Sequence, residues 1–153
     1  MGTVLLSVHV VLAIVLIGPM TVAVSLFPRY ARAASGDADP PPPETADRSA
    51  AVAAVLHRIS RAYAVLGLSV PIAGLALASR MDVLGDTWVI VSLGFTVGAT
   101  VLLAAVVLPD QRRAMTLPSA ATEPRAWAPG VFALLWVVVV VLMVARPGST
   151  TGI

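Results

Sequence analysis

The sequence predicts an all-α, polytopic membrane protein: a four-transmembrane-helix bundle with both termini outside, on the periplasmic side. Three observations predict it. Only 12% of the 153 residues are charged and 58% are hydrophobic, about half the charge of an ordinary soluble domain, and the mean hydropathy is +0.93. Four apolar stretches reach the roughly 20 residues a helix needs to cross a bilayer. The arginines sit at the ends of those stretches, where membrane edges and anionic lipid, rather than nucleic acid, account for a net charge of +2. Lysine and cysteine are both absent, which excludes disulfides and thiolate metal sites. All-arginine basicity with abundant Ala, Val, Gly and Pro is the usage of a high-GC bacterial genome.

The first stretch runs from about Thr3 to Phe27 and ends at Pro28. It lacks a basic n-region and a small-residue cleavage site, so a retained span is expected rather than a signal peptide. The second has its membrane part from about Ala62 to Ala78. The third, about Thr87 to Leu108, carries no charge and ends at Pro109. The fourth, about Trp127 to Ala145, ends at Arg146-Pro147. With no water in the bilayer core, each must satisfy its own backbone by being helical. The whole chain, 1–153, is expected to form a single membrane domain.

Orientation follows from the arginines. Arg29, Arg32, Arg48, Arg58 and Arg61 lie between spans one and two, and Arg112, Arg113 and Arg125 between spans three and four. The opposite side has Arg80 and Arg146. The positive-inside rule therefore puts both of these loops in the cytoplasm of a bacterial inner-membrane protein. The first loop, about residues 35–45, is proline-rich ("SGDADPPPPETADRS") and predicts a stiff polyproline spacer. Thr45 is a candidate N-cap. From about residue 46 to Ala78 one continuous helix is expected, roughly 50 Å long at 1.5 Å per residue, so its first turns project into the cytoplasm. On that projection Val52, Val55, Leu56, Ile59 and Tyr63 share a face, with His57, Arg58, Arg61 and Asp47 opposite.

Chemistry is scarce inside the spans. None holds Asp, Glu or Lys, the groups on which proton relays and ion-coupled transport depend, and no metalloprotease, phosphate-loop or nucleophile-elbow motif occurs. A non-enzymatic chain without cofactor or metal is expected. His9, about two turns into span one, is expected to hydrogen-bond a neighbouring helix or the headgroup region. Its alternative is a haem or quinone contact. His9 and His57 should lie near opposite membrane faces, too far apart to share one iron. The five methionines follow no repeat. Pro19 beside Gly18, and Pro71 between Gly67 and Gly74, should kink spans one and two, either to fit the bundle or to line a solute path in a passive channel or permease. In span three, "SLGFTVGATVLLAA", Gly94 and Gly98 form GxxxG, extended by Ala105, a smooth face for close helix packing within the chain or against another protein. Span four, "LLWVVVVVLMV", has no such notch. "LFPRYAR" and "VLPDQRR" also match weakly, through shared exit chemistry or duplication of a two-helix unit.

Arg29, Arg32, Arg58 and Arg61, with His57, make a basic cytoplasmic collar. Snorkelling anchors and a cardiolipin-type headgroup or partner dock both fit it. "LLSVHVVLAIVLIGPM" and "LFPRYAR", followed by "PIAGLAL", resemble a family of small four-helix bacterial membrane proteins without an assigned activity. The chain is also similar, in its actinobacterial flavour, to the respiratory supercomplex association factor, an accessory subunit of the mycobacterial cytochrome bcc–aa3 oxidase. That resemblance implies a non-catalytic subunit touching oxidase or cytochrome bc helices, in part through lipid. It carries over no site residue.

Overall fold

Four helices long and apolar enough to cross a membrane build the computed structural model: α1 (Thr3–Ser35), α2 (Pro43–Arg80), α3 (Thr87–Thr116) and α4 (Trp127–Ala145). The structure describes residues 2–35, 43–116 and 125–148. Most of the proline-rich loop, residues 36–42, lies outside the described residues, while Pro43 and Thr45 already belong to the first turns of α2. Proline is at home there, since a first-turn N–H has no intrahelical partner to lose.

The chain is inside-out by the standards of a soluble protein. Val144 is 80% exposed, Ile14 68% and Ile72 67%, an arrangement that is stable when lipid rather than water surrounds the bundle. The second half of α1 packs along the first half of α2, the start of α1 along the end of α2, and α3 along α4. The end of α3 also meets the first half of α2. One core cluster joins Met20, Val70, Ala99, Leu103 and Phe132 across all four helices. A second joins Ala23 and Phe27 of α1 to Ala53 and Leu56 of α2.

Pro28 and Pro109 mark the ends of the apolar stretches but not of the helices. α1 continues through Pro28 to Ser35, and α3 through Pro109 to Thr116. A mid-helix proline removes one hydrogen bond and crowds the carbonyl four residues back. At two positions the crowding is relieved by a wider turn. Ala13–Ile17 and Leu103–Val107 are π-helical, and in the second the Leu108 N–H reaches back five residues to the Leu103 carbonyl. Each π turn closes two residues before a proline, Pro19 in α1 and Pro109 in α3. The likeness between these helices in the fold therefore matches Pro19, not Pro28, with Pro109. α2, expected to be continuous, is instead interrupted at Gly67–Leu68, three residues ahead of Pro71 at its nearest.

Candidate functional site

Four of the buried polar residues of the bundle gather where α2 meets the end of α3. His57 and Ser60 come from α2, and Asp110 and Gln111 from α3; all four are buried. The His57 Nδ1 donates to Gln111 Oε1 at 2.9 Å, because an amide oxygen only accepts. Gln111 Nε2 lies 3.4 Å from Ser60 Oγ, and Ser60 Oγ donates to the Leu56 carbonyl at 2.9 Å. Beside this chain the Arg125 guanidinium donates to both Asp110 carboxylate oxygens, at 3.2 and 3.3 Å, and so ties the approach to α4 onto α3.

His57 thus departs from its expected place on the outward face with Arg58 and Arg61. It is 7% exposed, whereas Val55, assigned to the inward face, is 55% exposed. The inward face of α2 here is Ser49, Ala53, Leu56, His57 and Ser60. Polar and small groups turn inward because that is where they find hydrogen-bond partners and close helix packing.

Arg29, Arg32, Arg58 and Arg61 are exposed, as are Arg112 and Arg113 at the end of α3. The antiparallel packing of α1 on α2, and of α3 on α2, brings all of them to one end of the bundle. Among the described residues the one salt bridge is Arg125–Asp110, so these arginines carry no carboxylate partner there. They can meet anionic oxygens from outside the chain.

His9 is buried in the other half of the bundle. Its Nδ1 donates to the Val70 carbonyl of α2 at 3.1 Å, and its ring lies so close to Gly74 that a Cβ there would sit 2.9 Å from the ring Cε1. Gly74 is required for this approach. Val70 is roughly 20 Å along α2 from His57 at 1.5 Å per residue, so the two histidines cannot serve one iron. Among the described residues no group of three or more His, Asp or Glu is placed to hold a metal ion.

Gly94 and Gly98 do not pack against any of the described residues. Both face outward with nothing within 4 Å of a built Cβ, and Ala105 is exposed in line with them. The inward face of α3 is Ser92, Thr96 and Ala99. Their neighbourhood is quiet: Ser92, Thr96 and Thr100 hydroxyls each donate to the carbonyl four residues back, at 2.6, 2.8 and 2.8 Å.

Ser60, Asp110, Gln111 and Arg125 escaped the sequence reasoning. The available signal was the spacing of Ser49, Ala53, His57 and Ser60, a small-and-polar stripe at helical intervals on α2. Compared with known proteins, the chain matches no family model, no curated protein and no solved structure.

Proposed function

We propose that this chain is a non-catalytic accessory subunit of a larger assembly in the bacterial plasma membrane. It packs against a neighbour through α3 and holds anionic phospholipid at its arginine collar. The observation that carries the proposal is the outward GxxxG face: Gly94 and Gly98 have nothing within 4 Å. Glycine costs about 1 kcal/mol in a helix relative to alanine, and this bundle gains no packing from either one. Close approach of another membrane helix supplies the return. The arginines, which have no carboxylate partner among the described residues, support the lipid half of the proposal, and the positive-inside rule puts them in the cytoplasm.

The resemblance to the supercomplex association factor makes respiratory oxidase and cytochrome bc subunits the partners to test. A tagged chain extracted in mild detergent should carry cytochrome-containing subunits with it, and Gly94→Leu/Gly98→Leu should lose them. A wild-type chain that elutes alone, with no partner cytochrome spectrum, overturns the proposal.

A second reading, a haem- or quinone-binding redox protein, is favoured by one observation. The His9 Nδ1–H bond to a backbone carbonyl fixes the ring and leaves Nε2 as the ligating nitrogen, the support that metal-bound histidines commonly have. An optical spectrum of the purified chain decides the haem version; without a Soret band it fails.

A further inference from the structure

The three irregular stretches of the bundle converge on one place. Ile17 closes the π turn of α1 and Leu103 opens that of α3, and both line a cavity with Gly67 and Pro71 of the α2 break. Thr100 of α3 and Trp136 of α4 complete its polar wall. The cavity offers about 20 Å³ to the centre of a water-sized sphere. One water needs roughly 10–15 Å³ by this measure, together with two to four polar partners.

The partners are present. Trp136 Nε1 is fully buried and, among the described residues, is the buried side-chain nitrogen or oxygen left without a hydrogen bond. In a regular helix the Leu68 N–H would go to the Ala64 carbonyl; here it goes to Val65 O at 3.2 Å. Pro71 has no N–H for the Gly67 carbonyl, which receives Val70 N–H at 3.0 Å instead. Ala64 and Gly67 both line the cavity. Thr100 Oγ1 spends its proton on the Thr96 carbonyl and keeps lone pairs to accept with. A donor without an acceptor and acceptors with capacity to spare thus belong to residues that line one space with room for a water molecule. Leaving a polar group unmade in hydrocarbon is costly, and an apolar filler would leave all of them unmade.

We infer that the kinked centre of the bundle binds a single water molecule, which accepts from the Trp136 indole N–H and donates to the Ala64 carbonyl and Thr100 Oγ1. The bound water completes the hydrogen bonding that the break in α2 opens, and so holds the bend without a second protein chain.

The test is indole ¹⁵N–¹H spectroscopy on the full chain in nanodiscs of defined lipid. Trp88→Phe and Trp127→Phe identify the Trp136 signal by elimination even where Trp136→Phe fails to fold. Trp88, whose Nε1 donates to Asp86 Oδ2 at 3.0 Å, and Trp127, 54% exposed, give the reference shifts for internal bonding and for solvent. The expected result is a hydrogen-bonded shift for Trp136 with a rotating-frame cross-peak to water. Ala64→Leu, which fills the cavity, should abolish that cross-peak with helical content unchanged. A Trp136 signal at the shift of an unbonded indole, a cross-peak only to a co-purified organic molecule, or a water cross-peak that survives Ala64→Leu at full strength would each overturn it.

Discussion

His57 Nδ1 and Gln111 Oε1 lie 2.9 Å apart across the interface of α2 and α3, and both side chains are more than nine-tenths buried. Truncating one partner strands the other. Gln111→Leu should therefore lower stability by about 1–3 kcal/mol. His57→Phe/Gln111→Leu should recover part of it, since an apolar pair leaves no donor behind. Thermal unfolding of the four-member cycle in one detergent measures the coupling, and strictly additive losses would show that the bond contributes nothing.

The His9 ring against Gly74 gives a steric prediction. A methyl at Gly74 sits 2.9 Å from the ring Cε1, so Gly74→Ala must displace a ring held by Val70. The expected loss, about 1–3 kcal/mol for overpacking, exceeds the roughly 1 kcal/mol that alanine gains over glycine in a helix. His9→Ala should relieve the clash, making the double variant more stable than the sum of the single ones. Additivity in the unfolding cycle would count against this contact.

The collar predicts a lipid-specific response. Cardiolipin added to the detergent-solubilised chain should raise its melting temperature, and the rise should shrink with salt because the charges are exposed. In a chain carrying Arg29→Gln, Arg32→Gln, Arg58→Gln and Arg61→Gln the rise should be mostly lost. An equal rise with a zwitterionic phospholipid would assign the arginines to simple anchoring.

The GxxxG face predicts a separation of stability from association. With nothing within 4 Å of either position, Gly94→Leu and Gly98→Leu should leave the isolated chain at least as stable as the parent, each substitution removing a poor helix former. Thermal unfolding of the purified variants checks this directly. Marked destabilisation would mean that the two glycines pack within their own bundle.

The four helices were legible because hydropathy is summed over some twenty residues, and no local detail can undo it. Which face of each helix turns inward was legible only in part. The amphipathic rule assigns apolar residues to the core, and it holds for Val52, Leu56, Ile59 and Tyr63 but fails for Val55 and His57. A buried hydrogen-bond partner outweighs the cost of exposing one valine, so Val55 faces out and His57 turns in to Gln111. Gly94 and Gly98 were legible as a close-packing motif, yet only the structure places them outside the bundle. Gln111 and Asp110 sit beyond Pro109, past the point at which the apolar run was judged to end. The helix carries on because proline removes one bond, not the seven helical residues that follow.

Each π turn contains one residue more than an α turn of the same length, and each residue is worth roughly 100° of rotation. The halves of α1 on either side of Ala13–Ile17 are therefore wound out of phase. The first half packs mainly along the end of α2, while the second half also meets α3 and α4. Removing a single amino acid from this turn would return the winding to regularity and swing the first three turns around the bundle, carrying His9 away from Val70. The length of this helix is thereby set to the individual residue, a far tighter requirement than bilayer thickness imposes.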